Sequence, residues 1–294
     1  MEEKIRKMLA ERREPALWFV TVEKAHSKSR LGGLPSLPAG VDWPVHPDTR
    51  VPLHFLAQVD LSALPETPLP GCPFGAALPR RGMLYFFFNF AYIWDEDFSA
   101  VDGNGVPKQS RVIHAPAAGP DRAAPETLPP VGYDPETMEP AWGIKENFRP
   151  EQHLRAYAID TFWGARNEYE KGKCILPLGD AAYEAKFQSI LDATGEAAPV
   201  YRGAVDFRFP STSPSHYTLV DDTEPKKISK FMRGLQMFGA ESQWDDGRVR
   251  DRSRVVLMEY PYEADELGSL QFWIETKDLK ARRFDRVFGD GCSS

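Results

Sequence analysis

Cysteine is scarce in this chain of 294 residues: there are three, Cys72, Cys174 and Cys292, an odd number set far apart. Neither a disulfide framework nor a structural zinc site has that spacing. Long apolar runs are also missing. The most aromatic stretch, residues 84–90, has a strand's length and contains Asn89, well short of the ~20 apolar residues of a membrane helix. The opening residues MEEKIRKMLAERRE are densely charged and hold no apolar core of a secretory leader. A surplus of positive charge is lacking as well. Lys and Arg number 36 against 43 Asp and Glu, a net charge of −7, which opposes a general nucleic-acid binder. Together these absences lead us to expect a soluble cytoplasmic protein with reduced thiols and no membrane or nucleic-acid partner.

Catalytic signatures are absent too. There is no G-x-S-x-G elbow and no H-E-x-x-H, and Gly32-Gly33 lacks the Lys-Ser/Thr of a phosphate loop. Six histidines, at 26, 46, 54, 114, 153 and 216, form no H-x-H and sit beside no cysteine. Asp102-Gly103-Asn104-Gly105 fails the calcium-loop pattern at Val106 and Pro107 and reads as a tight turn. The acidic runs Asp95-Glu96-Asp97 and Asp245-Asp246 read as solvated turns. The tract RVRDRSR, 248–254, is interrupted by Asp251 and reads as local salt bridging. No catalytic residue, metal ligand or cofactor is therefore assigned.

What the chain has is ordinary hydrophobicity, 42%, and an excess of proline, 26 residues, about 9% against a usual ~5%. More than half of the prolines lie between Pro15 and Pro129, interleaved with apolar runs. That placement predicts fixed-φ corners in long ordered loops rather than a disordered linker. Residues 16–23 read as a strand. Residues 53–61, LHFLAQVDL, alternate apolar and polar types as a half-buried strand does, and 83–90, MLYFFFNF, are apolar on both faces as in a central strand. A further strand is predicted at 111–114. Helices are predicted at 2–13, 181–194 and 224–237, with a weaker one at 150–162.

The last third of the chain echoes the first. Leu31-Gly32-Gly33 has a counterpart in Phe238-Gly239-Ala240. Phe55-Leu56-Ala57-Gln58 has one in Val256-Leu257-Met258-Glu259. The run from Gly82 to Phe88 aligns with that from Gly268 to Ile274. The blocks LGGLPSLPAGVDWP, PLHFLAQVDL and GMLYFFF, with GSLQFWIETKDLKARRFDRVFGDG near the end, resemble the YwqG-like family, a bacterial domain of unknown function. The resemblance covers residues 30–90 and 230–290 and implies an α+β fold, mainly antiparallel sheet with an internal duplication. The second half departs from the family pattern where it carries Glu259 in place of a Gln, which puts a symmetrical role for Gln58 in doubt. We accordingly expect one α+β domain over 1–294. It would have repeat-like halves at about 15–130 and 200–290, a helical connector, a few helices and long proline-rich ordered loops.

The most suggestive polar and aromatic residues fall within these halves: Trp43, His46, Gln58, Gln243, Trp244, Glu259 and Trp273. Lining a cleft between the halves, they would form a recognition site for a protein or small molecule. The competing reading is structural, because tryptophans anchor cores and a buried Gln can bond loop backbone. Two functions follow. One is a non-catalytic binding protein, for example an antitoxin-like protein masking a basic partner. The other is a hydrolase whose unpatterned site joins carboxylates to His46 or His54.

Overall fold

The structure, a computed structural model, describes residues 3, 7, 13–65, 77–90, 101–130, 151–162, 169–170, 173–174, 201–202, 218–220, 225–227, 235–239, 253–261 and 268–293. Its strands are β1 (Arg13–Val22), β2 (Arg30–Leu31), β3 (His54–Asp60), β4 (Met83–Phe88), β5 (Ser110–Ala115), β6 (Gln152–Phe162), β7 (Tyr169–Glu170) and β8 (Lys173–Cys174). They continue with β9 (Tyr201–Arg202), β10 (Thr218–Val220), β11 (Pro225–Lys227), β12 (Leu235–Phe238), β13 (Arg254–Pro261), β14 (Gly268–Glu275) and β15 (Phe288–Ser293). Among the described residues one short α-helix, α1 (Thr276–Lys280), accompanies them.

The α+β expectation is therefore wrong: the described chain is antiparallel sheet with almost no helix. Residues 150–162, read as a weak helix, form β6, because strands on both sides claim their backbone. The full length of β6 pairs with β1, from Arg13↔Phe162 to Val22↔His153, and its start also pairs with β2. The helix expected at 224–237 is replaced at its ends by β11 and β12. In β12 all four residues, Leu235, Gln236, Met237 and Phe238, are buried, and ladder pairing overrides a helical spacing of apolar residues. The helix expected at 181–194 lies outside the described residues, and that at 2–13 does so almost wholly.

Ten strands form one continuous ladder in the order β15-β14-β13-β12-β1-β6-β2-β3-β4-β5, and smaller sheets comprise β11-β10-β9 and β7-β8. The large order is the same from either end. A short strand, a long bulged strand, an apolar strand and an edge strand flank each side of the central β1–β6 pair. The bulges match: register slips at Leu56 between β3 and β4, and at Leu257 between β13 and β14. Cross-strand partners match too, with Gln58 opposite Tyr85 and Glu259 opposite Gln271. Arg30 pairs with Gln58 as Gln236 pairs with Glu259. This register makes Gly32-Gly33 the counterpart of Phe238-Gly239, one residue off the alignment expected from the sequence, and all four residues have positive φ. The first strand of the chain borders the second arm, and β6 borders the first. β1 pairs with β12, and β6 pairs with β2.

The period of two along β4 explains the core. Leu84, Phe86 and Phe88 point into the main cluster with Phe19, Leu154, Leu270, Phe272 and Ile274. Phe86 meets Phe272 edge-on at a centroid distance of 5.3 Å, so the two arms pack on each other through these inner faces. The alternate residues Met83, Tyr85 and Phe87 point outward into a second cluster with Leu37, Leu53 and Phe55. The proline-rich loops cover that outer face. The two edge strands of the ladder also meet. Ser110 Oγ accepts from Gly289 N–H at 2.8 Å and donates to the Val287 carbonyl at 3.1 Å.

Candidate functional site

Gln58 is fully buried on the outer face of β3. Its Oε1 accepts from Ser36 N–H at 2.9 Å, and its Nε2 donates to the Lys28 carbonyl at 2.7 Å and to Ser36 Oγ at 3.3 Å. One side chain thus holds both ends of the segment that carries β2 and the glycine pair. Beside it lies Arg30, whose side chain is 8% exposed. Its guanidinium reaches Asp121 at 2.5 Å, Glu151 at 3.2 Å, Ser36 Oγ at 2.8 Å and the Leu34 carbonyl. The Arg30 hydrogen bond is the chief reason the Asp121 carboxyl ionises below its usual range. Tyr85, opposite Gln58, donates to the Ser36 carbonyl at 2.6 Å. Burial pushes its phenol up to about 12, against the lowering effect of Arg30. Arg30 is held by two carboxylates, a hydroxyl and a carbonyl, so this network fastens loops.

The other candidates take separate places. Trp43 donates its indole N–H to the Leu53 carbonyl at 2.8 Å and stands edge-on to Phe87. His46 closes the 46–50 turn, where its Nδ1 accepts from the N–H groups of Asp48 and Thr49, each at 3.3 Å. His54 is buried. Its Nε2 lies 2.9 Å from the Pro129 carbonyl and its Nδ1 accepts from Phe90 N–H at 3.3 Å, and burial lowers its pKa. These contacts join both histidines to backbone. Among the described residues, the histidine in an ion-pair contact with a carboxylate is His153, with Nδ1 3.4 Å from Glu151.

Glu259 and Trp273 lie on the outer face of the other arm. Glu259 is fully buried and accepts from Gln271 Nε2 at 3.3 Å, while Trp273 donates to Gln271 Oε1 at 3.1 Å. Gln243 and Trp244 lie outside the described residues. Because the arms meet through inner-face apolar residues, Trp43 and Gln58 on one side and Glu259 and Trp273 on the other face away from each other. These four described residues therefore do not line one cleft.

A different groove does form, beneath the crossover from β1 to β2. It is bounded by His26, Ser27 and Ser29, by Leu154, Arg155 and Ala156 of β6, and by Ala63 and Pro65 beyond β3, and encloses about 340 Å³. Its cause is the shortness of β2, which covers two residues beside the eleven of β6. No sequence motif marks the groove, because it is a gap between strands. The one available signal was the run Glu23-Lys24-Ala25-His26-Ser27-Lys28-Ser29, polar where a long strand β2 would need alternation. Among the described residues no group of three or more metal-ligating side chains converges, and no helix is long and apolar enough to cross a membrane. A search of curated proteins finds no match to the chain. Residues 29–290 match the family described as Domain of unknown function (DUF1963).

Proposed function

The chain belongs to the DUF1963 family, a domain family of unknown function, and from that premise we propose that it is a non-catalytic recognition protein acting through the groove beside β6. Within the family we read it as a YwqG-like member, on the resemblance of residues 30–90 and 230–290, and its two arms as related units. The observation that carries the reading is the groove itself, an opening of about 340 Å³ between β6 and the β1–β2 crossover with both polar and apolar walls. Recognition sites have this mixed character: apolar surface supplies binding energy and a few fixed polar groups supply orientation. The wall is held firm. Gln58, Asp60 and Ser27 bind the backbone of Lys28 and Ser29 at the groove's edge, so the opening is formed before any ligand arrives, which lowers the cost of binding. The serine hydroxyls beside it are engaged in structural bonds, Ser27 Oγ with Ser29 N–H and Ser29 Oγ with Asp60 N–H, which supports binding over hydrolysis.

Affinity capture with the wild-type chain and with Ala63→Trp tests this reading. Ala63 is exposed on the groove's lip, and an indole there fills the opening without entering the core. A partner or ligand held by the wild type should be released by the variant, with the melting temperature unchanged. Equal retention by both refutes the groove as the site.

A further inference from the structure

The hydrogen bonding around β6 shows what shape the groove accepts. Leu154 N–H donates to the Ser29 carbonyl at 3.0 Å, so the backbone groups of Leu154 face the β2 side. In a strand, residues two apart present their N–H and C=O to the same side, and Ala156 therefore faces the groove as well. The ladder ends at Ser29 for a visible reason. Ser29 N–H turns to Ser27 Oγ at 3.0 Å, and Lys28 is drawn towards β3, its N–H to Asp60 at 3.4 Å and its carbonyl to Gln58. Past this point, no described strand replaces β2 beside β6. The carbonyl of Leu154 and both backbone groups of Ala156 consequently line a gap one strand wide.

We propose that this gap takes an extended peptide segment bearing carboxylate side chains, paired antiparallel to β6 in continuation of β2; the inference rests on the groove being the binding site. Strand addition of this kind draws affinity from main-chain hydrogen bonds and selectivity from the side chains along the rim. Running in the sense of β2, the segment is antiparallel to β6, the more favourable pairing, while the facing wall is the turn carrying Ala63 and Pro65 beyond β3. The charge at the rim sets the partner's sign. Lys24 and Lys28 are exposed on the crossover and Arg155 lines the groove, opposed there by Glu23 and Asp60, an excess of one positive charge although the whole chain carries −7. A local basic rim on an acidic protein steers an acidic segment to this place and away from the rest of the surface.

The test is selection from a displayed library of short random peptides on the full-length chain, with Ala63→Trp as the counter-selection. Peptides enriched on the wild type should be rich in Asp and Glu. N-methylation of the amides on the edge facing β6 should weaken them about tenfold, the loss expected from one or two net hydrogen bonds. Lys24→Glu with Lys28→Glu should weaken them further, more at low salt than at high. Enrichment of basic peptides overturns the proposal, as does affinity unchanged by N-methylation. Failure to enrich any peptide over Ala63→Trp overturns it too, but leaves the recognition reading standing, since that depends on whether Ala63→Trp releases a captured partner.

Discussion

Replacing Gln58 by alanine removes the partner of two backbone groups at once, Ser36 N–H and the Lys28 carbonyl. The first bond is buried, and an unsatisfied buried donor costs about 1–3 kcal/mol. The second is partly buried and adds roughly 1 kcal/mol, and the lost side-chain packing adds about as much again. The sum is about 3–5 kcal/mol, a large share of a typical domain's stability. Gln58→Glu separates the two bonds. Its carboxylate still accepts from Ser36 N–H but turns an oxygen on the Lys28 carbonyl, so near neutral pH it should cost about 2 kcal/mol. Protonation restores a donor, so that deficit should shrink as the pH is lowered. Urea unfolding followed by the fluorescence of the seven tryptophans measures both variants, with the slope m checked for constancy. A Gln58→Ala chain within about 1 kcal/mol of wild type, or a Gln58→Glu deficit independent of pH, refutes the assignment of Gln58 as the clasp of this loop.

Other outcomes follow from the same structure. A methyl group on Gly289 would stand 2.7 Å from the Phe88 ring, so Gly289→Ala should cost about 1–3 kcal/mol by overpacking, read as a lowered denaturation midpoint. Ser110→Ala strips Gly289 N–H and the Val287 carbonyl of their shared partner and should cost about 2 kcal/mol; hydrogen exchange at Gly289 should rise with it. Burial depresses the pKa of His54 from its ordinary 6.5. Because the unfolded chain takes up that proton first, stability should hold above pH 6.5 and fall as the pH drops from there towards the folded value. His54→Leu should flatten that part of the pH–stability profile, and an unchanged slope would exclude His54 as its source. Arg30→Lys keeps the charge but cannot reach Asp121, Glu151, Ser36 and the Leu34 carbonyl together. We expect about 2–3 kcal/mol of destabilisation, tempered by the exposure of both carboxylates, in thermal melts.

The strands β3 and β4 were legible in the sequence because their patterns are local: alternation broken only at the bulged Leu56 in one, and apolar residues on both faces in the other. Strand β3 is nonetheless buried on both faces rather than half-buried. The strands β6 and β12 were not, because their conformation is set by partners far away in sequence. Residues such as Arg155 and Ala156 have no strong strand preference of their own. Gln58 illustrates the limits for a site. The sequence singled it out and offered two roles, and its hydrogen bonds to Ser36 and Lys28 select the structural one. Ser27 and Ser29 showed only as part of a polar run and Ala156 carried no signal, since a groove made by the early end of a neighbouring strand leaves little mark on the residues that line it.

The placing of β1 against the second arm and of β6 against the first bears on how the chain is made. As it leaves the ribosome, β1 emerges first, yet its partners are β6, at 152–162, and β12, at 235–238. The first arm, β2 to β5, waits in turn for β6 to cover its inner edge. Neither arm is complete while synthesis is under way, and pairing over such sequence separations is slow. A nascent chain halted before 235 holds β1 with one edge open, a template for mispairing with its neighbours. The ladder can close only once β12 has been made, so the yield should respond to chaperone supply and growth temperature more than to the stability of the finished fold.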